Sequence, residues 1–176
     1  MNHVALIRGI NVGRAKRIAM ADLRALVEDL GYRNVRTLLN SGNVVFSDPR
    51  TAARDRAAHL ERSIAAKLGV SARVTVLSAA ELAVAVRENS VRFADPSRML
   101  VAFFNDPSHR KRLAPLQRED WSPESLAIGK RVAYLWCRDG ILESRLLTTV
   151  GKLLGDAVTT RNWTTVTKLN ALAAVD

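Results

Sequence analysis

Cysteine, histidine and aromatic residues are scarce in this sequence, and each shortage excludes a kind of chemistry. Cys137 is the only cysteine among 176 residues, so no intrachain disulfide can form. The three histidines are scattered and lack the spacing of metal ligands, so we predict neither a metal site nor a cofactor. Aromatic residues make up 5% of the chain, which argues against nucleic-acid recognition by base stacking.

Long hydrophobic runs are also absent. No apolar segment is long enough to cross a bilayer, and the N-terminal segment reaches Arg8 too early for the apolar core of a signal peptide. We therefore predict a soluble, cytoplasmic protein without a membrane partner. Hydrophobic residues still make up 48% of the chain, so a globular core can form.

Negative charge is under-represented. The sequence has 17 acidic residues against 27 lysines and arginines, and its formal net charge is +10. Such a surplus is typical of proteins that bind nucleic acid, acidic surfaces or anionic substrates. However, arginine greatly outnumbers lysine, and alanine and valine are abundant, as a GC-rich genome would favour. Whether the charge is functional or a composition bias stays open at the level of sequence.

Hydrophobic spacing in the first half predicts the order β-α-β-β-α-β. Apolar residues recur at helical spacing from Met20 to Leu30 and from Ala53 to Leu68. Ser78 and Glu81 form a capping-box pattern that begins a further short helix. Four short apolar runs predict strands, at residues 3–7, 35–39, 44–46 and 73–77. This order is that of a ferredoxin-like unit, in which two helices cover one face of a four-stranded antiparallel sheet.

The second half repeats this order more loosely, with a helical stripe from Trp163 to Leu172 at its end. Its strand patterns lie at residues 99–104, 125–128, 131–137 and 157–160. We therefore predict an α+β protein of two tandem βαββαβ (ferredoxin-like) units, with mostly antiparallel sheets, helices on one face and a C-terminal helix. The predicted domains are residues 1–90 and 91–176.

Two glycines follow the first predicted strand, but they do not form a known nucleotide-binding loop. A Walker A loop needs four residues between its glycines and then Lys-Ser or Lys-Thr, and the dinucleotide fingerprint G-x-G-x-x-G is absent. In the predicted topology the first and third strands are antiparallel neighbours, so this loop lies beside the turn at 40–43. The polar and glycine residues that meet there are Arg8, Gly9, Asn11, Gly13, Ser41, Gly42 and Asn43. They either bind an anion or satisfy the carbonyl groups of their own loops.

A third polar segment precedes the final helix. Helix N-termini favour anions, Arg161 adds positive charge there, and Asn162 or Thr160 is a candidate N-cap. Trp163 either stacks on the ring of a ligand or begins the apolar stripe of the helix. We predict that this segment extends the site formed by the first two.

Three motifs together resemble the domain-of-unknown-function family 1697: R-G-I-N-V-G at 8–13, S-G-N-V-V-F at 41–46 and T-R-N-W-x-T-V-x-K-L at 160–169. The resemblance runs from Val4 to Leu172 and implies an α+β protein of two small units, with no established activity or cofactor. Further polar positions that recur in the family fall here on Thr165 and Lys168. The chain departs from the glycine-led pattern G-x-S-K-L at 142–146, because Glu143 replaces a small residue, which argues against a ligand role for Ser144 and Arg145.

Three functions are compatible with these residues. The favoured one is a module that binds a phosphate-containing small molecule or nucleic acid at Arg8–Gly13 and Ser41–Asn43, extended by Arg161–Trp163 and Lys168. The second is a structural or interaction protein without catalysis. The third is an enzyme of phosphoryl transfer or hydrolysis, for which the sequence shows no nucleophile paired with a base and no carboxylate in the polar motifs.

Overall fold

The structure is a computed structural model that describes residues 1–14, 16–50 and 55–175. The chain divides into two compact units, one formed by Met1–Leu82 with Leu169–Asp176 and the other by Ala83–Lys168. Each unit contains a four-stranded antiparallel sheet. The predicted α+β class with two antiparallel sheets is confirmed, while the predicted domains 1–90 and 91–176 stay a proposal.

The first unit follows the predicted order β-α-β-β-α-β. Its elements are β1 (Asn2–Ile7), α1 (Met20–Asp29), β2 (Arg33–Leu38), β3 (Asn43–Ser47), α2 (Arg56–Leu68) and β4 (Val74–Ser78). The strand order is β2-β3-β1-β4, so β1 lies between β3 and β4 and is antiparallel to both. This is the ferredoxin-like strand order. Ala53, where the sequence places the start of the second helical pattern, lies outside the described residues.

Both long helices of the first unit pack on one face of its sheet. Side chains alternate along each strand, and those on the helix side of β1 and β3 are Ala5, Ile7, Val44 and Phe46. They share one apolar core with Leu23 and Leu26 of α1 and with Leu60 and Ile64 of α2. Full burial of each large apolar side chain contributes about 1.5–3 kcal/mol. The helical spacing seen in the sequence therefore corresponds to the face that fills this core.

A capping box begins α3 (Ala79–Arg87), as predicted. The Ser78 hydroxyl accepts a hydrogen bond from the Glu81 N–H at 3.2 Å, and the Glu81 carboxylate accepts one from the Ser78 N–H at 2.8 Å. Two backbone donors that the helix itself leaves unpaired are thus satisfied.

Residues 169–175 complete the first unit from the other end of the chain. The Asn2 side-chain amide donates to the carbonyl oxygens of Ala173 and Val175, at 3.0 and 3.1 Å. The Arg36 guanidinium also donates to the Val175 carbonyl oxygen, at 2.9 Å. The first and last described segments therefore belong to one unit.

The second unit repeats the strand order as β6-β7-β5-β8. Its strands are β5 (Met99–Phe104), β6 (Ser125–Ile128), β7 (Val132–Trp136) and β8 (Val158–Asn162). Its longer helices are α5 (Arg145–Leu154) and the first part of α6 (Trp163–Ala173), whose residues from Leu169 onward belong to the first unit. The helical segment after Asp106 is not continuous, because only α4 (Arg110–Leu113) is α-helical, between two 3-10 segments. Pro115 lacks the N–H that a continuing α-helix would need there.

The two faces of the second sheet differ in what they contact. Ala133, Leu135 and Cys137 share a core with residues of α4 and α5, so Tyr134 and Trp136, which alternate with them, face away from those helices. The buried Tyr134 hydroxyl donates to the Ala85 carbonyl oxygen at 2.6 Å.

Burial raises the pKa of the Cys137 thiol, so the single cysteine is a buried and weak nucleophile, as expected from its apolar neighbours.

Candidate functional site

The loop after β1 and the turn between β2 and β3 lie against each other, which confirms the predicted contact. The Ile7 N–H donates to the Gly42 carbonyl oxygen at 2.8 Å, and the Asn11 side-chain amide donates to the Asn40 carbonyl oxygen at 2.9 Å. A Cβ atom at Gly42 would stand 2.9 Å from the Ile7 carbonyl oxygen and 2.9 Å from Cδ1 of Ile10. A side chain at position 42 would therefore push the two segments apart.

Asn11 holds the loop after β1 in shape. Its Nδ2 donates to the carbonyl oxygens of Ile18 and Asn40, both at 2.9 Å, and its Oδ1 accepts from the Ile18 N–H at 2.8 Å. Its main-chain N–H donates to the Lys16 carbonyl oxygen at 3.1 Å. Its φ of 56° is left-handed, a conformation that asparagine adopts more readily than most residues. Asn11 thus has the structural role that the sequence left as one of two alternatives.

We expect Asn11→Ala to lower the free energy of unfolding by about 2–3 kcal/mol, because the backbone groups of Ile18 and Asn40 lose a partner and alanine is strained at this φ. Urea denaturation monitored by circular dichroism measures the change. Asn105→Ala is the matched control, since the exposed Asn105 side chain makes no hydrogen bond with any described residue. Equal denaturation midpoints for the two variants would contradict the role of Asn11.

Asn43 and Ser41 belong to the same network. The Asn43 side chain is fully buried, and its Nδ2 donates to the Leu38 carbonyl oxygen at 3.0 Å and to the Ser41 hydroxyl at 2.9 Å. Asn43 therefore closes the β2–β3 turn from the inside. A ligand outside the protein would reach the Asn43 amide only if the turn moved.

Positive charge is concentrated at the exposed side of this loop. Arg14, Lys16 and Arg17 are exposed and make no ion pair with the described residues. Arg8, at the start of the loop, is half-buried, and its main-chain N–H donates to the Arg73 carbonyl oxygen at 2.8 Å. The sequence has no acidic residue in 1–21 or 30–47. Neither segment therefore supplies a negative charge to neutralise these cations.

The third polar segment lies in the second unit, on β8 and at the start of α6. The Asn162 side-chain oxygen accepts from the Thr165 N–H at 2.9 Å, so Asn162 is the N-cap of α6. The Arg161 guanidinium donates to the Thr159 hydroxyl at 3.0 Å and to the Thr160 carbonyl oxygen at 2.8 Å. Burial lowers the pKa of Arg161 to about 10, which still leaves it charged at neutral pH.

Lys168 is exposed on α6, and Trp163 is partly exposed at the start of that helix. That Arg161, Asn162, Trp163 and Lys168 extend the site of the first unit stays a prediction.

A cluster of three aromatic rings in the second unit was not foreseen from the sequence. The Phe93 ring centroid lies 6.4 Å from that of Trp136 and 5.5 Å from that of Trp163. All three side chains are partly exposed. They come from the segment before β5, from the end of β7 and from the start of α6, so no local pattern links them. The order of the strands is what brings them together.

An open groove of about 670 Å³ lies beside two of these rings. We call it the arginine groove, and the residues that define it are Arg92, Phe93, Asp95, Arg98, Trp136 and Arg138. Its charge is mixed, because arginine side chains alternate with carboxylates. The residues of the groove are scattered in the sequence, so no local pattern predicts it.

Ser144 and Arg145, whose ligand role the sequence put in doubt, have structural contacts. The Ser144 hydroxyl accepts from the Leu147 N–H at 2.9 Å, caps α5 and donates to the Glu124 carboxylate. The Arg145 guanidinium lies 4.8 Å from the centroid of the Trp121 ring. These contacts hold the N-terminus of α5 in place.

The described part of the chain has neither a cluster of metal ligands nor a helix suited to a membrane. In residues 1–14, 16–50 and 55–175, no three His, Cys, Asp or Glu side chains come together as metal ligands. Among the helices of that same part of the chain, none has the length and apolar character required to span a membrane.

Comparisons with known proteins give a family and a fold. The family described as "Protein of unknown function (DUF1697)" matches residues 1–134, which is most of the chain. The structure is similar to that of the conserved bacterial protein SP0830 from Streptococcus pneumoniae, with a TM-score of 0.80, 24% sequence identity and 98% of each chain covered. At this identity the likeness extends to the fold alone. No curated protein matches the chain.

Proposed function

The chain belongs to the DUF1697 family of proteins of unknown function, and from this starting point we propose that it is a binding module for an anionic ligand. The ligand is a phosphate-containing small molecule or the backbone of a nucleic acid. It binds at the cationic rim, which we define as Arg8, Arg14, Lys16 and Arg17 on the loop after β1. The observation that carries the proposal is the exposure of three of these cations on a loop without a carboxylate.

The chemistry of the rim matches phosphate. Guanidinium groups donate paired hydrogen bonds to phosphate oxygens, and lysine adds a compact positive charge. Asp22 is the first acidic residue after the loop, so the loop itself contributes no negative charge that would repel an anion. The charge of the rim therefore favours ligands with several negative groups.

The loop is also suited to bind without large rearrangement. The contacts of Asn11 and the close packing at Gly42 fix its backbone, which reduces the entropy lost on binding. Gly9 and Gly13 have left-handed φ angles of 68° and 64°, and apart from the adjacent residues no described residue has an atom within 4 Å of the position that a Cβ would take at either glycine. A ligand therefore has room beside the backbone.

Inorganic tripolyphosphate tests the rim with phosphate groups alone. We expect isothermal titration calorimetry at low salt to detect its binding to the wild-type protein. The variant Arg14→Ala/Lys16→Ala/Arg17→Ala should bind it about tenfold more weakly, because three charge-assisted contacts are lost.

The matched control is Arg110→Ala/Lys111→Ala/Arg112→Ala, which removes the same charge from exposed positions of α4 in the second unit. Its affinity should stay within about twofold of wild type, because these three residues are not part of the proposed site. Equal weakening in both variants, or no binding by the wild type, would refute a site at the rim. A labelled single-stranded RNA tests the nucleic-acid alternative. If the rim binds RNA, the logarithm of the affinity should fall linearly with the logarithm of the salt concentration, and this slope should become shallower by ~0.7 for each cation removed.

A structural role without a ligand is the second candidate function. The side chains of Asn11 and Asn43 bond to backbone groups of the loop after β1 and of the β2–β3 turn, which is what that alternative requires. In that case the rim variant would not change the binding of any phosphate probe, while Asn11→Ala would still destabilise the protein.

A further inference from the structure

The sheet of the second unit presents an aromatic side chain on the face away from α4 and α5. Trp136 stands at the end of β7, a central strand, and is partly exposed. Its neighbour on the same face, Tyr134, is buried and bonded to the Ala85 carbonyl oxygen. Ferredoxin-like sheets that bind RNA stack bases on exposed aromatic residues of their central strands. Trp136 therefore occupies a position from which a base can be stacked.

Phe93 supports Trp136 from the segment before β5. The rings of Phe93 and Trp136 are inclined at 44°, and those of Phe93 and Trp163 at 57°. The main-chain N–H of Trp163 donates to the Pro96 carbonyl oxygen at 3.2 Å, which holds this segment against the start of α6. Since Phe93 and Trp136 already contact each other, a planar ligand would stack on the open side of Trp136.

Three exposed arginines surround this position. The Arg92 side chain makes no hydrogen bond or ion pair with any described residue. Arg98 is more occupied, because its Nε lies 3.5 Å from an Asp95 oxygen and its Nη1 donates to the Arg138 carbonyl oxygen at 2.8 Å. Arg138 Nε lies 3.9 Å from an Asp139 oxygen, a distance that permits only a weak pair. Arg92 and Arg138 are thus the arginines with the most capacity for a phosphate.

We propose that the arginine groove binds a nucleotide unit, meaning a planar base joined through a sugar to a phosphate. The base stacks on Trp136, and Arg92 and Arg138 bind the phosphate. Asp95 and Asp139 offer oxygens that accept hydrogen bonds from sugar hydroxyl or base amino groups. A free nucleotide and a single-stranded nucleic acid share this chemistry, and both are sources of the ligand. None of the residues of this site belongs to the cationic rim, so the proposal does not depend on the rim.

Tryptophan fluorescence reports on this site directly. Adenosine 5′-monophosphate should quench the emission of the wild-type protein in a saturable way, because Trp136 stacks with the base. Ribose 5-phosphate lacks the base and adenosine lacks the phosphate, so both should bind about tenfold more weakly. Trp121 is buried and its Nε1 donates to the Leu116 carbonyl oxygen, so it should contribute a constant background.

Two variants test the two halves of the ligand. Trp136→Leu should reduce the affinity for the mononucleotide about tenfold, as measured by calorimetry. Arg92→Ala should reduce it about fivefold without affecting folding, because this exposed side chain has no described partner. Arg110→Ala, which removes one charge from α4, is the matched control and should bind like wild type.

The source of the ligand is decided by comparison of the mononucleotide with a single-stranded oligonucleotide of ten residues. Much tighter binding of the strand identifies nucleic acid, and similar binding per site identifies a free nucleotide. No saturable quenching by either probe, or equal affinities for Arg92→Ala and Arg110→Ala, would overturn the proposal. The rim variant Arg14→Ala/Lys16→Ala/Arg17→Ala should keep mononucleotide binding, and Arg92→Ala should keep tripolyphosphate binding, so failure of one site is distinguishable from failure of the other.

Discussion

Replacement of Gly42 by alanine is expected to lower the free energy of unfolding by about 3–4 kcal/mol, because backbone strain adds to steric overlap. The φ angle of Gly42 is 74°, and an added Cβ would lie 2.9 Å from the carbonyl oxygen of Ile7. Ile7 is held in the central strand β1, so this oxygen cannot withdraw without disturbing the sheet. The predicted loss should also loosen the loop after β1.

Gly13→Ala is the control that separates the two causes. Gly13 has a similar φ of 64°, but beyond its chain neighbours a Cβ there would meet no atom of the described residues within 4 Å. Backbone strain alone should then cost about 1–2 kcal/mol. Guanidinium denaturation of both variants measures the difference, and equal losses would show that the contact with Ile7 is unimportant.

Asp48→Asn is expected to cost about 3 kcal/mol at neutral pH, because it removes a buried charge from between two arginines. The Asp48 side chain is fully buried. Its Oδ1 accepts from Arg50 Nε at 2.9 Å, and its Oδ2 accepts from Arg56 Nε at 2.8 Å. The arginine side chains are 45% and 20% exposed, so water can compensate only part of the loss.

The same carboxylate predicts a dependence of stability on pH. Burial raises the pKa of Asp48, but hydrogen bonds from Arg50 and Arg56 outweigh it and hold the pKa below its ordinary value of 3.8. A group whose pKa is lower in the folded state stabilises that state above its unfolded pKa, and this stabilisation disappears as the pH falls through the folded pKa. The difference in unfolding free energy between wild type and Asp48→Asn should therefore be large at pH 6 and small at a pH below the folded pKa of Asp48.

Asp29→Asn is the matched control for this measurement. Asp29 is 67% exposed, and its oxygen lies 3.4 Å from Lys67 Nζ, so its loss should cost at most about 1 kcal/mol. Urea denaturation at several pH values provides both comparisons. A stability difference for Asp48→Asn that does not change with pH would contradict the proposed ionic role.

Much of the fold follows from patterns that are local in the sequence. The run at 99–104 becomes β5 with the predicted limits, and the Ser78–Glu81 capping box begins a helix where expected. The contact between Arg8–Gly13 and the turn at 40–43 could also be predicted, because the order β-α-β-β-α-β places the end of one strand beside the start of another. Periodicity and topology rules are sufficient for these features.

The details of the sites depend on contacts that local patterns do not contain. The sequence offered Asn11 as either a ligand or a structural residue, and only the positions of the Ile18 and Asn40 backbone groups distinguish the two. The arginine groove is a stronger example, because Phe93 and Trp136 meet only after the sheet has formed. The low aromatic content is a property of the whole chain, and it does not predict where the few aromatic rings lie in the fold.

The contribution of residues 169–175 to the first unit has a consequence for biosynthesis. The side-chain amide of Asn2 and the guanidinium of Arg36 donate to the carbonyl oxygens of Ala173 and Val175. These two residues leave the ribosome after every residue of the second unit. Domains commonly begin to fold while synthesis continues, but here the half that emerges first must wait for the last segment before its hydrogen bonds are complete. The first unit therefore begins to be synthesised first but completes its fold only after the second unit has been synthesised.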